Sequence, residues 1–196
     1  MSDDNYYDIG IADVPQWVLE LPVPASGGEL DDPWMFGDGR RLPDPGPLKS
    51  RPFRDGPQRS FSVANSGRTP IADEQVASIF RKLAPEDVQV FPIEVEGAKN
   101  LLYVINATKC FKCVDEKNSK EVQIYPPDGV APERVGTYRA IYGLRIDPSK
   151  AEGARVFRIQ GYSSAFIVSE EIKSALAGVG NLGVSFERVT GAPESY

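Results

Sequence analysis

At 196 residues the chain can bury a sizeable core without disulfides or metal, and no apolar run reaches the roughly 18–20 residues that a membrane-spanning helix needs. Its net charge of −6 opposes binding to nucleic-acid phosphates, which calls for a basic face. It contains no histidine, which removes the commonest general base, the commonest zinc ligand and every Ser-His or Cys-His dyad.

The charge is unevenly spread. Residues 1–32 hold eight carboxylates and no Lys or Arg, whereas residues 33–70 hold seven basic and three acidic side chains. Residues 1–32 read as an acidic N-terminal arm that pairs with the basic stretch beside it or with a basic partner. Its start lacks the basic residues and apolar stretch of a signal peptide, so a cytoplasmic protein is expected. Asp13, Glu29, Asp31 and Asp32 of the arm, with Trp34 just beyond it, are the candidate partner-binding residues.

From residue 21 to 67 Pro and Gly recur too often for long helices or central strands. Trp34, Met35, Phe36, Phe53 and Phe61 nevertheless call for burial, so the segment reads as an ordered irregular wrap with short strands at 34–36 and 61–64. Next comes a helix over 73–84, capped by Asp73 with Glu74 in its first turn, its apolar face formed by Val76, Ile79, Phe80 and Leu83. Strands at 88–95 and 101–106 flank Gly97 and read as a hairpin. Further strands are expected at 110–114, 121–125, 138–146 and 154–159.

A second capped helix is expected over 169–179, with Ser169 as cap and Glu170 and Glu171 in the first turn, followed by a strand at 182–189. Shifted by 96 positions, Ile71, Asp73, Val76, Phe80, Val88 and Val90 fall on Ile167, Ser169, Ile172, Leu176, Val184 and Phe186. The same helix-strand unit is therefore used twice, and two copies suggest one shared sheet. The expected fold is α+β: one domain over 33–196, mostly antiparallel, with two short helices and an irregular Pro/Gly-rich wrap over 33–70.

Three motifs invite chemistry, and each has a plainer reading. Gly178-Val179-Gly180-Asn181-Leu182-Gly183 matches a dinucleotide fingerprint by letter, but it follows a helix and precedes a strand. That order points the negative end of a helix at the loop, so a helix cap and turn is expected. Cys110 and Cys113 form a single CxxC with no further ligands to complete a zinc site, and read as two small buried residues. Tyr162-Ser163-Ser164 faintly resembles the Ser/Thr strand of ADP-ribosyltransferases and reads as a polar turn entering a strand. No catalytic, metal or cofactor site is assigned, and no cofactor is expected.

The order of several short motifs resembles a bacterial polymorphic-toxin immunity-protein family of myxobacterial type. They are Trp34-Met35-Phe36-Gly37, the residues 69–80, Leu101-Leu102-Tyr103-Val104-Ile105-Asn106, the turn Cys113-Val114-Asp115-Glu116-Lys117-Asn118-Ser119, then Val156-Phe157-Arg158-Ile159 and Leu182-Gly183-Val184-Ser185-Phe186. The resemblance implies an antitoxin that binds and blocks a cognate toxin protein, and it brings no catalytic residues. The alternatives are a small histidine-free enzyme using carboxylate or Arg/Glu chemistry, of the ADP-ribosyl hydrolase or transferase kind, or an interaction module with no toxin involved.

Overall fold

The computed structural model describes residues 5–64, 68–127 and 132–191. Residues 1–4 of the acidic segment and 65–67 of the Pro/Gly-rich segment lie outside them.

Asp73 is extended, and its Oδ1 accepts from Val76 N at 3.0 Å, which starts α1 at Glu74–Leu83. Val76, Ala77 and Phe80 are its buried face, while Arg81 and Lys82 sit in the last turn, where cations favour the helix dipole. Ser169 repeats the device more weakly for α2 at Glu170–Ala177, accepting from Ile172 N at 3.5 Å, and Gly178 closes that helix.

Each helix crosses between two parallel strands with a third strand inserted between them. In the first unit α1 joins β7 (Thr69–Ala72) to β8 (Val88–Val95), and β9 (Leu102–Ala107) lies antiparallel between them. In the second, α2 joins β14 (Tyr162–Ser169) to β15 (Val184–Arg188), and β1 (Tyr6–Ile11) lies antiparallel between those. The 96-residue shift holds in the strand pairing. Ile71 pairs with Val104 where Ile167 pairs with Asp8, and Val88 pairs with Ala107 where Val184 pairs with Ile11. The first strand of the chain thus occupies, in the second unit, the place that β9 occupies in the first.

The two units do not share a sheet, which corrects the expected α+β domain with one mostly antiparallel sheet. Among the described residues the chain is mostly β, with two α-helices and several sheets. The six-stranded sheet runs β3-β4-β8-β9-β7-β6 and the five-stranded one β10-β13-β14-β1-β15. Here β3 is Val23–Pro24, β4 Leu48–Ser50, β6 Phe61–Ala64, β10 Cys110–Phe111 and β13 Val156–Ile159. Two-stranded pairs join β2 (Val18–Leu19) to β5 (Pro52–Arg54) and β11 (Glu121–Ile124) to β12 (Tyr138–Tyr142). The pairings β4–β8 and β10–β13 are parallel. The reason for two sheets is packing: α1 and α2 lie against each other, and their apolar faces close one core with a face of each sheet. Phe61, Ile105 and Phe80 meet Phe166, Val168, Ile172 and Leu176 there. Burying a side chain of this size contributes about 1.5–3 kcal/mol.

Each sheet is covered on its other face too. Trp17, Leu19, Phe36 and Leu42 cover Ile71, Ile93 and Val104 of the six-stranded sheet, joined by Leu48 of its strand β4, so the described part of the Pro/Gly-rich segment lies against that sheet. Gln89 fastens it by bonding Leu42 N and O at 2.8 Å, and Asn106 Nδ2 donates to Arg40 O at 3.0 Å. Cys113, Ile141, Leu144 and Ile146 cover Phe157, Ile159 and Ile167 of the five-stranded sheet. Asp87 ties the sheets together, since its buried carboxylate accepts from Arg155 N and Val156 N and meets Lys109 Nζ at 2.6 Å.

Two local expectations are corrected. Residues 34–36 form no strand; Met35–Gly37 is a 3-10 turn after Trp34. Cys110 is exposed and Cys113 is buried, so the CxxC is not a pair of buried residues, and both cysteines are free. The strands at 110–114 and 138–146 are also shorter than expected, with Val114 and Ile146 reduced to an isolated bridge.

Candidate functional site

A groove of about 510 Å³ opens where the 3-10 turn, the start of β14 and the region around β12 converge. Its aromatic side chains are Trp34, Tyr125, Tyr138 and Tyr162, and its cations are Arg68, Arg134 and Arg139. Ser163, Ser164 and Thr137 add hydroxyls. Among the described residues one carboxylate, Asp38, lines it, and Asp38 is already engaged by Arg40 at 3.2 Å.

The groove is built from the inside by Arg158 on β13. This side chain is fully buried, and its guanidinium donates to four backbone carbonyls. Nη1 reaches Ser163 O at 3.2 Å and Ala165 O at 3.0 Å; Nη2 reaches Phe36 O at 3.1 Å and Arg68 O. Three segments that line the groove are thus pinned to one planar fork, a geometry that arginine supplies and lysine does not. The guanidinium also stacks on Phe166, 4.7 Å from the ring centre. Close approach requires Gly39, with φ +67: a Cβ there would stand 2.6 Å from Lys109 O and 2.8 Å from Arg158 Cβ.

Burial lowers the Arg158 pKa to about 10, although the Asp8 charge opposes the shift. Asp8, half-buried on β1, is pushed up to about 7 by desolvation. That outweighs the hydrogen bond that Oδ1 accepts from Phe166 N at 2.9 Å and the favourable charge of Arg158. At the rim, burial and a 2.8 Å hydrogen bond to Glu116 raise the Tyr138 phenol to about 12. Burial likewise raises the Cys110 thiol, so this exposed cysteine is not an activated thiolate.

The predicted site residues scatter. Trp34 lies in the groove, 45% exposed, with the Arg68 guanidinium 4.9 Å from its ring centre. Asp32 supports it: Oδ1 accepts from Trp34 N at 2.9 Å, and Oδ2 from Arg40 at 3.1 Å. Glu29 and Asp31 are exposed on the preceding turn. Asp13 lies elsewhere, in a shallow depression with Ile11, Trp17 and Arg54. Acids of the first 32 residues do meet the neighbouring basic stretch, at Asp32–Arg40 and at Glu20–Arg51, 2.9 Å apart.

Arg68, Arg134, Arg139 and Arg158 were not picked out from the sequence. The signal within reach was the interleaving of Tyr125, Arg134, Tyr138 and Arg139 in one stretch.

Tyr162-Ser163-Ser164 begins β14 and is no turn; Ser163 and Ser164 face the groove from a strand. The glycine motif after α2 caps that helix. Its Gly183 is required by packing, because a Cβ would meet Phe61 O at 2.6 Å. Among the described residues no group of three or more Cys, Asp or Glu could hold a metal ion, and no helix is long and apolar enough to cross a membrane.

The family model described as Immunity protein family (Imm11) matches residues 26–191, most of the chain. No curated protein matches.

Proposed function

Because this chain belongs to the Imm11 immunity protein family, we propose that it is an antitoxin that binds a cognate bacterial toxin and neutralises it by occupying its surface. The family match over residues 26–191 carries this reading. The candidate site supports it, because an open groove of aromatic and arginine side chains suits recognition of a protein surface. Inhibition by contact requires only complementarity over about 1,600 Å² in total. The chain does this in the cytoplasm, as the immunity partner of a polymorphic toxin used in competition between bacteria. Trp34 is the anchor: large, half-exposed, and held by Asp32 beneath and Arg68 above. Asp31 and Glu29 form part of the rim, while Asp13 belongs to a different face.

The reading predicts a toxin encoded beside this gene, and co-expression with the product of that neighbouring gene tests it. Growth should be restored, and the two proteins should elute together from a sizing column. Continued growth arrest with no shared peak would end it.

A further inference from the structure

We propose that the groove beside Trp34 is the docking site for an acidic, aromatic-containing segment of the protein partner. This rests on the reading that the chain works by binding a protein, and it adds the chemistry of what is bound. The observation behind it is a local reversal of charge. In a chain of net charge −6, the groove is lined by Arg68, Arg134 and Arg139 and, among the described residues, by the single carboxylate Asp38. Asp38 is bound to Arg40 and so neutralises none of the three.

Two of these cations are unspent. Among the described residues, neither Arg68 nor Arg139 has a side-chain ion pair or hydrogen bond. Arg134, 5.8 Å from the Tyr125 ring centre, already donates through Nη1 to the Tyr125 hydroxyl at 3.4 Å and faces Glu133 at 4.0 Å, whereas Arg68 stacks its guanidinium face on Trp34. Stacking of this kind occupies the face of the fork and leaves its N–H edges for an acceptor. A carboxylate fits those edges as a bidentate acceptor. The rings alongside offer apolar surface to an aromatic or aliphatic neighbour of that carboxylate.

The walls are also rigid before anything binds. Arg158 holds the Phe36 and Arg68 carbonyls from below, so the backbone carrying Trp34 and Arg68 needs little ordering on association. A long polyphosphate strand is disfavoured because the chain as a whole is acidic, at a net charge of −6. Of the acids in residues 1–32, Asp8 is half-buried and Asp32 and Glu20 are already paired, which makes these three poorer candidates for the main contact.

The test uses the full chain and immobilised synthetic polymers. A copolymer of Glu and Tyr should bind, a copolymer of Lys and Tyr should not, and added salt should weaken the binding as ionic contacts are screened. The double variant Arg68→Glu/Arg139→Glu should bind the Glu-Tyr copolymer at least about tenfold more weakly, the loss of about 1.4 kcal/mol or more. Arg139→Glu alone provides a second variant, since Arg139 is exposed and, among the described residues, its side chain makes no hydrogen bond or ion pair. Unchanged thermal melting shows that both variants stay folded.

Equal binding by wild type and double variant would overturn the proposal. So would no binding of the Glu-Tyr copolymer, or binding of polyuridylate or inorganic pyrophosphate in its place. The growth-rescue assay separates the two readings. Rescue by a wild-type chain that ignores the Glu-Tyr copolymer removes the acidic site and leaves the antitoxin role. Charge-dependent copolymer binding by a chain that rescues nothing removes the antitoxin role and leaves the site.

Discussion

Val104 and Asp8 hold the same place in the two halves of this molecule, yet one is an aliphatic side chain and the other a carboxyl. Each lies in the strand threaded through a helix crossover. Val104 sits opposite Ile71 and Phe91, and Asp8 opposite Ile167 and Glu187. The first half is apolar at this point, and Val104 is fully buried. The second half carries Asp8 near a buried Arg158, and the groove opens beside it. A repeated architecture has therefore been kept as scaffold in one copy and altered in the other. Buried charge adds little net stability, so the four carbonyls that Arg158 holds are better explained by the groove walls they position.

The strongest way to break this comparison is to exchange the chemistry. Val104→Asp puts a carboxyl where no arginine waits for it, and Arg158→Met leaves the Phe36, Arg68, Ser163 and Ala165 carbonyls without their donor. Each should cost about 3–5 kcal/mol, as removal of one partner from a buried charged network does. Urea denaturation would read the loss, and a change under about 1 kcal/mol in both would remove the distinction between the halves.

A smaller effect should separate the halves by pH. Burial raises the Asp8 pKa to about 7, against roughly 3.9 in an unfolded chain. The folded state therefore holds that proton more tightly. The stability this contributes is complete below about pH 4 and is lost as pH rises through about 7. Glu187 on the adjacent strand β15 raises the group's pKa further, and Arg158 on β13, beyond β14, lowers it. Asp8→Asn keeps an acceptor for Phe166 N but has nothing to titrate. Between pH 5 and pH 8 the wild-type urea midpoint should fall relative to that of Asp8→Asn, and parallel profiles would contradict the assigned shift.

The smallest effect concerns the helix caps, which the halves share. Asp73→Ala should cost about 1 kcal/mol, within the usual range of roughly 0.5–2. Ser169→Ala should cost less, because its cap bond is 3.5 Å against 3.0 Å. Thermal melts of the two variants would rank them, and the reverse order would mean that the caps are not equivalent devices.

Much of the local structure was legible in the sequence because its causes are local. A capping side chain, a run of residues at helical spacing and a glycine at the turn specified α1, α2 and the β8–β9 hairpin within a residue or two. The 96-residue repeat was legible for the same reason, since the two units bury similar faces. Trp34 stood out as an aromatic residue in a segment that otherwise resembled a linker.

What the tertiary structure alone decided depends on distant pairings. Nothing in Tyr6–Ile11, with its central aspartate and a glycine, announces an inner strand of a five-stranded sheet; that role comes from the gap between β14 and β15. Whether two units share one sheet or build two is settled by how their helices pack together, a contact between residues roughly a hundred positions apart. The groove is less local still. Its arginines and rings come from segments that converge only once β13 and β14 have placed Arg158 beneath them, and no short window of sequence contains that juxtaposition.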